Sequence, residues 1–330
     1  MSGKPCIAVV GGVNIDIEAR CRSPFRPRDS NPGSLTLAPG GVGRNIAENL
    51  ARLGSRVELI SVLGDDEFSA RLEDSCAAIG IGLGGCLRLA DAPTSQYLCI
   101  LDSDGGLVGA VAAMDSIDRL DPERLEERAS LLDSADLIMV DANIAEDSIA
   151  WIARRYPKGH GGPLLAFDPV SAKKASRGAA SLGAFSFAKP NCAEAAVLAG
   201  LGGSAGEASP PKALAGLLRA RGLDEAFISL GEEGLWAEGP GAAPEFPERW
   251  RARIPRGRRG SDSGNASGAG DAACAAIAWG LLEGLGLGER CGLAVAAASL
   301  ASASESPVNP EMSAALLLET AKGIERERLS

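Results

Sequence analysis

The 330-residue chain has a single histidine, His160. A proton relay at neutral pH built on imidazole is therefore not expected, because nothing places that histidine in a motif. Its setting, Tyr156-Pro-Lys-Gly-His-Gly-Gly-Pro163, reads as a solvated surface loop. The eight cysteines include no Cys-x-x-Cys pair and none clusters with the histidine. That excludes a zinc site of standard spacing, and reduced thiols in a cytoplasmic protein are the simplest account. No apolar run reaches about 18 residues without a charge or a breaker, so no membrane partner is expected. Met1-Ser-Gly-Lys-Pro-Cys6 leads into a strand with no basic-then-apolar leader, so export is not expected either. Basic charge is also short: 33 Lys and Arg against 43 Asp and Glu leave a net charge of −10. Phosphate neutralisation needs basic surface, so nucleic acid is not an expected partner. The nearest approach to a basic patch, Arg251, Arg253, Arg256, Arg258 and Arg259, reads as a solvated loop rather than a phosphate contact.

What is present is the composition of an ordinary soluble globular protein, 45% hydrophobic and 23% charged. Short apolar runs at Cys6–Val10, Val57–Val62, Leu137–Val140, Leu164–Phe167 and Ala226–Leu230 read as buried parallel strands. Helical patterns alternate with them at Phe68–Ile79, Asp121–Leu132, Ala145–Tyr156, Glu194–Ala199 and Lys212–Arg221. The alternation predicts an α/β fold with a doubly wound, mainly parallel sheet, spanning residues 1–330 as one domain. Two stretches break it. Ile17–Pro39 holds turns and a Ser-Leu-Thr-Leu-Ala strand, and Thr94–Met114 reads as a hairpin, Gln96–Leu101 with Leu107–Ala112, around Asp102-Ser-Asp-Gly-Gly106. Gly200–Pro211 and Glu238–Pro247, rich in Gly, Ala, Ser and Pro, read as loops.

The most informative segment is Asn265-Ala266-Ser267-Gly268-Ala269-Gly270-Asp271, followed by a small-residue apolar run. A Gly-Ala-Gly turn opening a helix aims unpaired N–H groups and the positive end of the helix dipole at one point, which suits a phosphate. An aspartate in that first turn repels a resident anion unless it takes a proton from a hydroxyl during phosphoryl transfer. The bland alternative is an Asp-bearing helix start after a loop. A second segment, Pro39-Gly40-Gly41-Val42-Gly43-Arg44-Asn45, precedes an amphipathic helix, Ile46 to Gly54. It allows close backbone approach to a ligand. It lacks the third glycine and the following acidic residue of a dinucleotide loop, so a dehydrogenase is a distant reading.

Together the two segments resemble the PfkB (ribokinase-like) carbohydrate and nucleoside kinases, and three more motifs follow in the family's order. Val9-Val10-Gly11-Gly12-Val13-Asn14-Ile15-Asp16 is similar to the opening strand with its sugar-contacting Asn and Asp. Ala188-Lys189-Pro190-Asn191-Cys192-Ala193-Glu194 is similar to the Asn-x-x-Glu element near metal and phosphates, and Ile228-Ser229-Leu230-Gly231-Glu232-Glu233-Gly234 to the strand and turn beside the nucleotide. Within the family, Asp29-Ser30-Asn31-Pro32-Gly33, Asp168-Pro169-Val170-Ser171, Asn265 and Pro307-Val308-Asn309-Pro310 are similar to the pseudouridine kinase branch.

The resemblance implies a kinase that uses ATP and Mg2+, with a monovalent cation such as K+ in question because Asn265 stands where many relatives carry Asp. It implies Asp271 as base within the anion hole Gly268, Ala269 and Gly270. It implies an acceptor site from Asn14, Asp16, Gly41, Val42, Gly43 and Asn45, with Ser30 and Asn31 reading the base; turn chemistry alone is the competing account of those last two. Arg44 is open between steadying phosphates and standing exposed at a helix start. Asn191, Ser229, Gly231, Gly268, Gly270 and Asn309 would line the nucleotide, and Glu194, with Asp168, would help position the metal through water. The two interrupting stretches, about 17–39 and 94–114, become a small β-lid, through which a homodimer forms. A ribose, fructose or purine-nucleoside kinase, and a silent nucleoside-binding protein, remain alternative readings.

Overall fold

The structure, a computed structural model, describes residues 4–202, 209–243, 246–255 and 268–329. Asn265, Ala266 and Ser267 of the C-terminal motif lie outside these residues, as do Arg256, Arg258 and Arg259 of the basic stretch.

Alternate residues of the central strands feed two different cores, which is why both faces of the sheet are apolar. Ile7 and Val9 point to one core while Ala8 and Val10 point to the other; Leu137 and Met139 divide from Ile138 and Val140 in the same way. The strand Cys6–Val10 and the strand Leu137–Asp141 are buried at every position. On the first face pack the helices Val42–Arg52, Ala269–Leu282 and Leu287–Ser302, and on the second Glu146–Arg155, Cys192–Leu198 and Pro211–Ala220. The helix Ala269–Leu282 is buried from Ala272 through Gly280. A helix apolar on all sides must be enclosed, and its alanines let the neighbouring helix approach closely.

Among the described residues the large sheet has ten strands. In spatial order they are Glu325–Leu329, Phe246–Arg253, Leu235–Ala243, Glu225–Ser229, Phe187–Ala188, Leu164–Asp168, Leu137–Asp141, Cys6–Val10, Arg56–Ile60 and Ile81–Gly82. Neighbours from Glu225–Ser229 to Ile81–Gly82 run parallel, and the three strands at the other edge are antiparallel. The fold is the expected α/β sheet, wound on both faces.

The lid stretches form a separate four-stranded sheet, in the order Gly33–Gly40, Asn14–Cys21, Gln96–Leu101 and Leu107–Ala113. Its central strand begins at Asn14, so Asn14 and Asp16 stand at the root of the lid and not on the opening strand, which ends at Val10.

Four local expectations are corrected. Val57–Val62 is two strands: Ser61 turns its hydroxyl to Gly11 O at 2.6 Å, and Val62–Gly64 pairs with Leu87–Leu89 instead. Asp121–Leu132 is two short helices, Pro122–Glu126 and Ala129–Asp133, with Arg128 between them at φ −107° and its guanidinium anchored on Gly85 O. The helix expected from Ile46 starts at Val42, so Gly43, Arg44 and Asn45 are already helical. The described residues of Glu238–Pro247 are not loop: they are the ends of the antiparallel strands Leu235–Ala243 and Phe246–Arg253. Their Gly/Ala/Pro composition conceals a tight crossing: a Cβ on Gly241 would lie 1.9 Å from Phe246 O. Arg251 and Arg253 are correspondingly strand residues, paired with Glu233 and Glu325 at 2.9 Å.

Candidate active site

Strands that end at the same edge of a parallel sheet deliver their next residues to one crevice. Gly11 and Gly12 follow the first strand, Asp141 and Asp168 close the next two, and Lys189 and Asn191 follow Phe187–Ala188. The N-termini of the helices Val42–Arg52 and Ala269–Leu282 meet over that edge.

The glycine loop is built by crossing backbones. Gly41, at φ 99°, caps the first helix where a Cβ would lie 2.6 Å from Gly12 O, so only glycine fits. Asp141 sits beneath, fully buried, accepting from Gly12 N at 2.9 Å and Asn143 N at 2.8 Å. Burial raises its pKa to about 6 against the pull of those two N–H groups. Asp16 lies against Gly40, where a Cβ would meet its carboxylate. It accepts from Asn14 Nδ2 at 2.6 Å, and burial raises its pKa against the effects of Asn14 and Arg44.

The second helix begins at Gly268 in the left-handed region (φ 80°), again a position for glycine because Pro307 O occupies the space of a Cβ. Among the described residues no side chain caps this end, so the N–H groups of Ala269, Gly270 and Asp271 have no intrahelical partner. Asp271 bridges the two helix starts: its Oδ2 accepts from Asn45 Nδ2 at 2.9 Å. Burial, then the nearby Asp168 and Asp141 charges, raise its pKa to about 7, with Asn45 and Lys189 opposing. A carboxylate poised near neutrality at an anion-binding helix end has the ionisation a general base requires.

Lys189 supplies the positive charge. Its ammonium is buried 3.7 Å from Asp168 Oδ2 and 3.4 Å from where a Cβ on Gly270 would stand. Burial works against its charge, but Asp168, Cys274, Glu194 and Asp271 outweigh it and hold Lys189 above the usual lysine range. Asp168 Oδ1 accepts from Val170 N at 2.8 Å, fixing a β-branched residue at φ 65°, while Oδ2 is buried without a hydrogen-bond donor among the described residues.

The structure brings Asn191, Glu194 and Ser229 together. Asn191 and Glu194 form a capping box in which Asn191 N donates to Glu194 Oε2 and Nδ2 to Oε1, both at 2.9 Å; Ser229 N donates to Pro190 O. Gly231 follows with open space at its α-carbon. Burial raises the Glu194 pKa against Asn191 and Lys189. Among the described residues no group of three or more His, Cys, Asp and Glu is set to hold a metal. A hard cation that keeps most of its water needs only one or two carboxylates, and Glu194 with Asp168 Oδ2, which has an ion pair but no hydrogen-bond donor among the described residues, fits that demand.

Three expected side chains are committed elsewhere. Asn31 closes its own exposed turn, accepting from Arg26 N and donating to Arg26 O and Asp29 O, and Ser30 stands exposed beside it. Asn309 donates to Leu300 O and accepts from Glu311 N within its loop. Arg44 is neither exposed nor free for phosphate: it is buried, and its guanidinium meets Glu48 at 2.5 Å. Asp141, Lys189 and the pair Asn143–Lys174 (2.6 Å) were given no role from sequence, although all stand at this crevice or its rim. The available signal was a polar residue closing or directly following an otherwise apolar strand.

The family profile described as pfkB family carbohydrate kinase matches residues 4–314. This chain belongs to that family. Pseudouridine kinase from Escherichia coli (strain K12) is 30% identical over 98% of the chain and 99% of its own length. Among solved structures, a carbohydrate kinase from Agrobacterium tumefaciens superposes with a TM-score of 0.85 at 27% identity, covering 98% of this chain and 100% of that one. Arabidopsis thaliana ribokinase complexed with ribose and ATP shares the fold at 20% identity and TM-score 0.77, covering 97% and 99%. The pfkB kinase described here thus has ribokinase-like neighbours over nearly its whole length.

Proposed function

We propose that this kinase transfers the γ-phosphoryl group of ATP to the 5′-hydroxyl of pseudouridine. The observation that carries the chemistry is Asp271, raised to about 7, beside three unpaired helix N–H groups and the Lys189 ammonium. Asp271 accepts the hydroxyl proton, and Asn45 holds its carboxylate in place. The helix end and Lys189 stabilise negative charge that develops on the transferred group. Asp16 and Asn14 grip the ribose diol, and the lid over them excludes competing water. Glu194 and Asp168 would hold Mg2+, which neutralises phosphate charge when bound. Gly231, Asn191 and Ser229 line the path of the nucleotide. K+ dependence rests on Asn265, outside the described residues.

The choice of acceptor is supported by the full-length similarity to a pseudouridine kinase and by Asp29-Ser30-Asn31-Pro32-Gly33 before the glycine loop. In this reading Ser30 and Asn31 face the base, which requires Asn31 to exchange its present turn contacts for the ligand. A kinase for ribose or another sugar is the second reading, favoured by the local engagement of Asn31. A coupled ATP-consumption assay across pseudouridine, uridine, adenosine, ribose and fructose decides. The highest kcat/KM is expected with pseudouridine, and a higher value with ribose or fructose moves the acceptor while leaving the kinase. Asp16→Ala should raise the acceptor KM by about 10–100-fold, since charge-assisted hydrogen bonds are worth roughly 1.5–3 kcal/mol. The ATP KM should barely move; loss of ATP binding in calorimetry would show the two sites reversed.

We infer a homodimer through the lid. Its sheet exposes Leu35 (70%), Val111 (64%) and Leu107 (63%), with Leu37 and Val108 beside them, an apolar surface that burial against a second copy would stabilise. Sedimentation at micromolar concentration should give a dimer that Leu35→Glu with Val111→Glu dissociates; a wild-type monomer sinks this inference. A cytoplasmic location is supported by eight free cysteines and by the absence, among the described residues, of a helix long and apolar enough to cross a membrane.

A further inference from the structure

Glu48 is a buried carboxylate on the helix Val42–Arg52 with a cation on each side. Its Oε2 meets Arg44 at 2.5 Å and its Oε1 meets Arg52 at 2.7 Å. Neither arginine ends there. Arg44 donates to Asn45 Oδ1 at 3.3 Å, to Pro39 O at 3.4 Å and to Ser75 on the next helix at 3.0 Å. Arg52 donates to Pro310 O at 2.5 Å. Pro310 belongs to the turn that also lays Pro307 O against Gly268, and Asn309 pins that turn to Leu300 O.

The contacts therefore close on themselves. Asp271 is held by Asn45, Asn45 by Arg44, Arg44 and Arg52 by Glu48, Arg52 holds Pro310, and Pro307 of the same turn abuts the first residue of Asp271's own helix. We propose that Glu48 is a positioning residue. It ties the glycine-loop helix to the turn behind the anion-binding helix end and so fixes Asn45, Gly268 and Asp271 relative to one another. Surface pairs at i,i+4 spacing contribute little, but Glu48 and Arg44 are buried, with Arg52 half-buried beside them, and a buried carboxylate between two guanidiniums has few alternative geometries. Among the described residues the ion pairs of Glu48 are with Arg44 and Arg52. This inference rests on Asp271 being the base.

The test compares wild type, Glu48→Gln, Arg52→Gln, the double variant and Asp271→Asn, each with the acceptor the wild type turns over fastest. Displacing reacting groups by about 1 Å costs on the order of 100-fold, so Glu48→Gln should lower kcat by about 10–100-fold. Both KM values should stay within about threefold, the signature of lost alignment rather than lost binding. Arg52→Gln, which keeps the buried Arg44–Glu48 pair, should lose about 3–10-fold. The double variant should be no worse than Glu48→Gln alone, because the two act through one path. A role in stability only would lower Tm and leave kcat per folded molecule unchanged, and that result overturns the proposal. So does a loss confined to KM. Should Glu48→Gln fail to fold, Arg52→Gln decides, and a kcat within about twofold of wild type refutes the path. An inactive Asp271→Asn beside active Glu48 and Arg52 variants refutes the positioning alone, whereas an active Asp271→Asn removes the base reading and the proposal with it.

Discussion

Asp271→Asn is expected to lower kcat by about 10²–10⁴-fold, the span of general-base loss, while leaving the fold and acceptor affinity close to wild type. The substituted amide keeps its oxygen, so Asn45 Nδ2 still has an acceptor at the junction of the two helix starts. What disappears is the ability to accept the hydroxyl proton. The wild-type kcat/KM should rise with pH through about 7, where Asp271 ionises, and the variant should lack that limb. Stability should move in the opposite sense. A carboxyl raised from 3.8 to about 7 makes the folded protein bind more protons than the unfolded chain between those values. Its contribution is present at low pH and is lost as pH rises through about 7. Asp271→Asn removes the cost of burying that charge, so the variant should be the more stable protein at pH 8, by on the order of 1–3 kcal/mol. The lower part of that range applies because Asp271 is only half-buried. The difference should vanish near pH 4. Turnover within tenfold of wild type at pH 8 would end the role of Asp271 as base.

How much of this was legible in sequence depends on which physical signal each residue leaves. The central strands announce themselves because both faces are buried, and a run such as Leu137-Ile-Met-Val has no other economical reading. The glycine positions were legible as close approaches, and Gly41 and Gly268 do carry positive φ beside a foreign carbonyl. The burial of Asp141 and Lys189 was not legible. A polar residue after an apolar strand is the usual way a strand leaves the core, and nothing local distinguishes one that stays buried. The same ambiguity left Arg44 open between a phosphate contact and an exposed helix start. It is neither: Glu48, one turn on, and Ser75, which the fold brings from the next helix, engage its buried guanidinium. Asn31 shows the converse. Its Asn-Pro-Gly setting is a turn signal, and in the structure the amide does what that chemistry alone demands. The antiparallel pairing of Leu235–Ala243 with Phe246–Arg253 was hidden by composition, since these strands contain the Gly and Pro residues that ordinarily mark loops.

Lys189→Met should have the largest effect on stability of any single substitution in the site. Three carboxylates, Asp168, Glu194 and Asp271, act on this one buried ammonium. Methionine fills comparable space, so the change removes charge and leaves little cavity. Lys189 is held above the usual lysine range, so its stabilising contribution is fully present at neutral pH and is lost only in strong alkali. Without it Asp168 Oδ2, which has no hydrogen-bond donor among the described residues, is left as a buried charge that has lost its ion-pair partner. Removing one partner of a buried pair costs about 3–5 kcal/mol, and that is the loss expected above pH 7. Glu194 and Asp271, whose pKa values burial already raises, can escape the penalty by taking up protons, so the loss should shrink as pH falls toward 5. Asp271 also loses a charge that lowers its pKa, and the rising limb of kcat/KM should shift to higher pH in whatever fraction of the variant folds. Thermal unfolding across pH 5–8 reads the first effect and the pH–rate profile the second. A variant with wild-type stability at pH 8 and an unshifted profile would mean that Lys189 is not the counter-charge of this site, and the pocket would then need another source of the positive potential a phosphoryl group requires.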